Sequence, residues 1–515
     1  MTKNQSGFRP GDSTINQLLS ITDEIYKSFE SHDETRAVCL DISKAFDKVW
    51  HEGLVYKLKQ NGINGNLLSI LTDFLNDREQ RVVLNGLESE WQKIYSGVPQ
   101  GSVLGPLLFL IYINDLTNDI SSNIKLFADD SSLFIKVDDV ASAQELLSSD
   151  LDKITLWANQ WKMKFNPDIT KAAIEVIFSW KRNKPDHPFL QFNNIPVSRQ
   201  TSTKHLGMIL DDKLTFRSHI SEAIVNAKKG INVLKFLSKY VSREVLDMTY
   251  KMYVRPYLDY GDSLFHNQSK QSMALLEQIQ YQAGLIVTGC WQGSSRSKLY
   301  DELGWESLQE RRKFHRLTLY YKILNNHTPE YLRAHVPQSI PVDSTQRYKD
   351  SYFPYCYKHW NDIDPSIKNS LNVSHFKSSY LKLIRPYKKS CFHIQDRYGL
   401  SLLSRIRVNH SDLRSHRFDK NFNCADPTCA CGVEEETTEH FFLRCTRFSH
   451  ERAILIGGVS DIVSPEIINL PHDHLTDILM YGSKVFNEIA NKLIILSSIR
   501  YITASNRFKV LEAFS

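Results

Sequence analysis

The sequence predicts an α+β fold: a sheet-containing first part followed by a largely helical remainder. Two observations carry this. Short apolar runs at Ala37–Leu40 and Ile124–Ala128 each end in an acidic residue, as buried strands carrying polar groups at their ends do. From about residue 210, apolar residues recur mainly at helical spacing. The 515-residue length exceeds one compact domain and predicts two to four.

In chain order, Ile15, Leu18, Leu19, Ile25, Tyr26 and Phe29 share one face of a helix over 14–30, which Ser13 or Thr14 could cap. Ala37–Leu40 is a strand, and helical patterns follow through Leu54, Leu58 and Leu67–Leu75. Arg81–Leu84 and Trp91–Tyr95 read as two strands joined through Asn85-Gly86. A helix is expected after Pro106. Ile124–Ala128 and Leu133–Val137 form a hairpin with Asp129-Asp130 at its tip, and Ala141–Met163 is a long amphipathic helix. Ile174–Phe178 alternates as a strand, Lys181–Pro185 is a basic boundary loop, and short strands are expected at Phe189–Val197 and Ser202–Leu210. Residues 333–375 read as irregular, 380–420 as strongly basic.

The net charge of +5 does not by itself argue for nucleic acid; local clustering matters more. No run is long and apolar enough to cross a membrane, and the first residues lack the apolar core of a signal peptide. An intracellular place, nucleus and cytoplasm, is therefore expected, with no membrane partner and no secretion. The eight cysteines then read as thiols or metal ligands rather than disulfides.

Asp41 and Asp129, at the ends of neighbouring strands about 4.8 Å apart, could grip a pair of metal ions roughly 3.5–4 Å apart. Asp130 would support them, and Asp47 is read as structural. An Asp-Asp pair alone is most often an ordinary turn. Its company changes that: Gly97-Val98-Pro99-Gln100-Gly101-Ser102 lies between the two acidic segments.

The order Asp41, Pro99-Gln100-Gly101, Phe127-Ala128-Asp129-Asp130 resembles reverse transcriptases of non-LTR, jockey-like retrotransposons. Asn4-Gln5-Ser6-Gly7-Phe8-Arg9 followed by Ser13-Thr14 is similar to that family's fingers motif. Trp157 through Asn166-Pro167 is similar to its next palm motif, and His205-Leu206-Gly207 with Asp211 and Leu214 to the approach to its thumb. The resemblance covers nearly the whole chain. It implies a right-hand polymerase: partial fingers and an antiparallel palm sheet over 1–185, a helical thumb and connector over 186–330, an irregular then basic linker over 331–420, a zinc knuckle over 421–450 and a helical tail over 451–515.

The resemblance further implies RNA-directed DNA synthesis: two Mg²⁺ on Asp41 and Asp129, an RNA template, a DNA primer or target, and dNTPs. Phe46 would be the steric gate against a 2′-hydroxyl. Gln100 and Gly101 would line the nucleotide pocket, and Arg9 is what remains of the fingers' basic residues. The sequence departs from the family twice. It starts inside the fingers motif, which reads as a truncation. The lysine expected after Asn166-Pro167 is replaced by Ile169, with Lys171 two residues on.

Cys429, Cys431, His440 and Cys445 offer three thiolates and an imidazole, a full tetrahedral set for structural Zn²⁺. Cys424 is a fifth candidate that could replace Cys429. Ahead of them lie Arg385, Lys388, Lys389, Arg397, Arg405, Arg407, Arg414, Arg417 and Lys420, interleaved with Tyr387, Phe392, Tyr398 and Phe418, a composition suited to nucleic acid. Lys228, Lys229, Lys235 and Lys239 mark one face of the first thumb helix. The alternative reading is a truncated, non-catalytic descendant that binds RNA or DNA through the thumb, basic segment and knuckle.

Overall fold

The apolar run at Ala37–Leu40 becomes the last part of a longer strand, Glu34–Leu40, at the centre of a five-stranded sheet. The strand order is Ser198–Arg199, Ala173–Phe178, Glu34–Leu40, Asp130–Val137, Asn123–Phe127. All pairings are antiparallel except that of Ser198–Arg199 with Ala173–Phe178. The polar start of the central strand hides it from a hydrophobicity reading. Arg36, fully buried, is made tolerable by an ion pair with Glu175 and by hydrogen bonds to Gln144 Oε1 (2.7 Å) and the Pro188 carbonyl (2.6 Å).

This computed structural model describes residues 1–265, 268–384 and 394–508. Two compact units result. The first contains 1–219, 263–268 and 316–369; the second contains 220–262, 269–315 and 370–515. Residues 186–330 thus contribute to both.

In the first unit, helix Thr14–Glu30 begins as expected, with Ser13 Oγ accepting from the Asn16 amide at 3.2 Å. Helices His51–Gln60, Leu104–Ile113 and Val140–Gln160 pack a common core with the sheet, centred on Val38, Leu54, Phe109, Leu133 and Leu151. The Leu104–Ile113 helix starts two residues before Pro106, which its first turn accommodates. The Asn85-Gly86 turn joins Val83–Leu84 to Leu87–Glu88 rather than to Trp91–Tyr95, and Glu79–Gln80 pairs with Gln92–Lys93 below it. Asn193 and Asn194, both at positive φ, turn a further short hairpin between Gln191–Phe192 and Ile195–Pro196.

The stretch 333–375 is not irregular. It carries the short helices Gln346–Lys349, Tyr352–Asn361 and Pro365–Lys368 and the start of Val373–Ile384. Polar residues and a proline start two of them: the Thr345 side chain accepts from the Tyr348 amide, and that of Asp364 from the Ser366 amide, with Pro365 in the first turn. The second unit is helical, as periodicity predicts. Among the described residues no helix is long and apolar enough to cross a membrane.

Candidate active site and metal centre

Strand register brings the acids together. Leu40 faces Ser131 and Phe127 faces Asp130, so Asp41, one residue beyond its strand, meets the start of the neighbouring one. Ala128 and Asp129 form the two-residue turn. Burial raises the Asp129 carboxyl above its usual range, and the Asp41 charge adds to this. Asp130 is solvent-exposed as a residue, yet desolvation of its carboxyl, then the charges of Asp129 and Asp41, push it up to about 6. Three carboxylates brought to one end of the sheet are a donor set of the all-oxygen kind that divalent metal takes. The three acids are looser than a finished cage: their oxygens are not among the groups whose ligand atoms all lie within 4.8 Å.

Sequence reasoning gave the motif at Asn166 but not its work. Asn166 Nδ2 donates to Asp41 Oδ2 at 2.7 Å, and its amide donates to the Asp41 carbonyl at 2.9 Å. One Asp41 oxygen is thereby fixed in place. The residue type was the available signal, since a carboxamide is the neutral group that donates to a carboxylate without cancelling its charge.

Phe46 lies in a single turn of helix, Phe46–Lys48, half-buried and stacked on Phe109 at 4.3 Å between ring centroids. Phe8 meets it edge-on at 6.1 Å. The Gly97–Gly101 loop is docked against this turn. The Val98 amide donates to the Phe46 carbonyl at 2.8 Å, and Gln100 Nε2 donates to Asp47 Oδ1 at 2.9 Å. Gly97, at φ 97°, leaves no room for a side chain: a Cβ would fall 2.8 Å from Asp47 backbone atoms. Asp47 thus holds Gln100, in keeping with its structural reading. Gly101, also at positive φ, is exposed.

Arg9 donates to the carbonyls of Thr2 (3.1 Å) and Gln5 (3.3 Å). Lys171 is exposed and paired with Asp168 at 3.0 Å.

In the second unit, Cys429, Cys431, His440 and Cys445 converge so that all four ligand atoms lie within 4.8 Å of one another. Cys429 and Cys445 sulfurs are 3.6 Å apart, and Cys431 Sγ is 3.4 Å from His440 Nε2. Two thiolates about 2.3 Å from a tetrahedral ion stand roughly 3.8 Å apart, so the cluster fits zinc without rearrangement. Glu434 Oε1 lies 2.8 Å from His440 Nδ1, which leaves Nε2 turned to the sulfurs. Burial pushes the Cys429 thiol up to about 12, whereas the Val433 amide, ahead of weaker neighbours, brings Cys431 down to about 7. Cys424 stands apart, its sulfur directed to the carbonyls of Asp426 (3.2 Å) and Arg414 (3.6 Å). The cluster is no free-standing knuckle: Cys429 and Cys445 are part of the core formed with Phe441, Phe442, Leu455 and Ile499.

The basic stretch separates into parts. Arg385, Lys388, Lys389, Tyr387 and Phe392 lie outside the described residues. Arg397 donates to the carbonyls of Val241 and Ile286, and Arg405 to that of Gly289. Arg407 and Arg243 grip the buried Glu302 carboxylate, both at 2.9 Å. Burial alone would raise Glu302, but the two arginines outweigh it and hold it at about 2. Arg243 and Arg407 are buried packing elements, while Arg397 and Arg405 are half-buried and hydrogen-bonded to backbone. Arg414 and Arg417 are half-buried and Lys420 exposed, with Tyr398 and Phe418 also exposed.

Comparison with known proteins points to one class of relatives. A family profile described as "Reverse transcriptase (RNA-dependent DNA polymerase)" matches residues 1–210. The chain is 31% identical over 274 residues to the RNA-directed DNA polymerase from mobile element jockey of Drosophila funebris, covering 51% of this chain and 29% of that one. It is 27% identical over 359 residues to a Drosophila melanogaster protein named "Probable RNA-directed DNA polymerase from transposon X-element", covering 66% and 39%. It is 22% identical over 426 residues to the Pol polyprotein of type-1 retrotransposable element R1 of Bradysia coprophila, covering 80% and 40%. The chain therefore spans well under half the length of these relatives. Residues 1–210 thus match a reverse transcriptase domain, and over the stretches given the chain is similar to RNA-directed DNA polymerases of jockey-type mobile elements.

Proposed function

We propose that this chain is an RNA-directed DNA polymerase of retrotransposition, extending a primer 3′-hydroxyl with dNTPs on an RNA template. The observation that supports it most is the meeting of Asp41, Asp129 and Asp130 at one end of the sheet, beside a loop that holds Gln100 next to Phe46. In this reading the sheet is the palm, the segment before it part of the fingers, and the Arg217–Leu237 helix the start of the thumb.

Asp41 and Asp129 would hold two Mg²⁺, with Asp130 beside them. When bound, such ions activate the attacking hydroxyl and offset charge on the triphosphate. The chain's own groups do the rest. Asn166 keeps the Asp41 carboxylate oriented. The Phe46 ring, fixed by Phe109, forms a wall against a 2′-hydroxyl. Gln100, fixed by Asp47, faces the incoming nucleotide, with Gly101 allowing close backbone approach. Arg9 is the basic group of this neighbourhood that could meet phosphate. A new bond forms between the 3′-oxygen and the α-phosphorus as the bond to pyrophosphate breaks. An element RNA and a nicked target DNA are the template and primer that the resemblance implies, and an intracellular place, nucleus and cytoplasm, goes with them. Zn²⁺ on Cys429, Cys431, His440 and Cys445 would be structural, because four protein ligands leave no position for water.

The test is primer extension on an RNA template with Mg²⁺ and dNTPs. Extension by the chain, lost in Asp129→Ala with template–primer binding retained, is the expected result. Binding without any extension would favour the second reading, a non-catalytic nucleic-acid-binding descendant.

A further inference from the structure

The segment Asn4–Gly7 has a task that its motif does not disclose. It lies along the edge strand Asn123–Phe127: Gln5 bridges Leu126 in parallel, the Ser6 amide donates to the Leu126 carbonyl at 2.9 Å, and the Leu126 amide donates to Asn4 at 2.8 Å. The added backbone therefore ends where the acidic turn begins. There the Gln5 side chain, 2% exposed, closes on the turn itself. Its Oε1 accepts from the Ala128 amide at 2.9 Å and from the Gly7 amide at 2.8 Å, while Nε2 faces the Ala128 carbonyl at 3.3 Å.

Ala128 needs such a partner. It has φ 55°, in the left-handed region where a side chain is disfavoured and glycine is the usual occupant. Both polar groups of its backbone are buried with it, and a lone buried amide is costly. One carboxamide satisfies both and fixes the peptide planes on either side of Ala128. Gly7 completes the fit: a Cβ there would stand 2.3 Å from the Ala128 nitrogen, so only glycine lets the segment come this close.

We propose that Gln5 is a positioning residue: it clamps the Ala128 backbone and thereby sets the direction in which Asp129 and Asp130 present their carboxylates to metal. The inference rests on the polymerase reading above. Gln5 touches no reacting atom; it acts through the turn.

The experiment compares the full chain with Gln5→Ala, Gln5→Ala/Ala128→Gly and Asp129→Ala, by Mn²⁺ titration followed by electron paramagnetic resonance and by steady-state extension. Misplacing the turn should lower kcat on the order of ten- to a hundredfold. It should weaken Mn²⁺ binding roughly tenfold, as loss of an orienting group outside the ligand set does. KM for dNTP and template–primer affinity should stay as in the parent. Glycine at 128 adopts φ 55° without cost, so the double variant should recover part of both losses. A Gln5→Ala chain with lowered Tm but parental Mn²⁺ affinity and kcat would overturn the proposal and leave Gln5 as a structural brace. Lack of recovery in the double variant would equally overturn the assignment to Ala128. If the parent shows neither extension nor Mn²⁺ binding that depends on Asp129, the polymerase reading fails and takes this inference with it.

Discussion

The carboxylate site of the first unit and the cysteine–histidine cluster of the second gather metal-ligating side chains in opposite ways. The acids are held from behind, by strand ends, Asn166 and Gln5, and their faces stay half-open or exposed to solvent. Desolvation of the Asp130 carboxyl, and after it the charges of Asp129 and Asp41, push that group up to about 6. Cys429, Cys445 and the imidazole are buried and Cys431 is half-buried against the same core, close enough to satisfy one ion, with Glu434 orienting the imidazole. An open site with unrelieved like charge suits ions that come with a substrate. A closed site with four ligands suits an ion that stays. In the proposed reading the same chain would separate exchangeable from permanent metal by ligand number and burial.

The sharpest break of this contrast is at the ligands themselves. Asp129→Ala should cost extension at least on the order of a hundredfold, while Tm holds or rises because a repelling charge is gone. Cys445→Ala should do the reverse. It should remove bound zinc and destabilise the second unit by several kcal/mol, short of the roughly 10 kcal/mol or more that zinc supplies to peptides folded by metal alone, since the surrounding core persists. Calorimetric unfolding beside a primer-extension assay separates the two; a Cys445→Ala chain with parental zinc content and Tm would remove the structural centre from the account.

Orientation is the next level. Glu434→Gln should lower zinc affinity by roughly ten- to a hundredfold with the ligands intact, measured by competition with a chelating dye. Proton linkage sharpens the acidic side. Asp130 keeps its proton in the folded chain to about pH 6, whereas an unfolded chain releases it near its ordinary value. Its contribution to stability is therefore present at low pH and declines as pH rises through that window. Divalent affinity should move the other way, strengthening up to about pH 6 as the competing proton leaves. Asp130→Asn should flatten the stability profile; an unchanged profile would contradict the raised pKa. The smallest effect belongs to Cys424→Ser, which should leave zinc content unaltered, because that sulfur faces backbone carbonyls.

Much of this was legible before any coordinates. Local patterns placed the Thr14–Glu30 helix, the Asp129-Asp130 hairpin and the four zinc-type ligands, because each is encoded by residues near one another in sequence or by a spacing that chemistry restricts. The contacts that position the acids are another matter. Gln5 and Ala128 are 123 residues apart, and Asn166 and Asp41 are 125 apart; nothing in a single sequence says which carboxamide reaches which backbone. The work of the basic stretch is only partly legible for a related reason. Arg397, Arg405 and Arg407 look like a phosphate-binding run, but Glu302 and several helix-end carbonyls are brought to them only by the fold. The helices in 333–375 escaped because they are short, two of them four-residue turns set by a side-chain cap rather than by a long apolar period.

The most direct measurement of the contrast uses one preparation of the full chain. It is dialysed against metal-free buffer, assayed for bound zinc, and then tested for RNA-templated extension before and after Mg²⁺ is added. The account predicts about one zinc per chain retained, in line with a single four-ligand site, no extension before Mg²⁺, and extension once it is supplied. Zinc lost on dialysis with Tm unchanged, or extension that proceeds without added divalent ion, would contradict it.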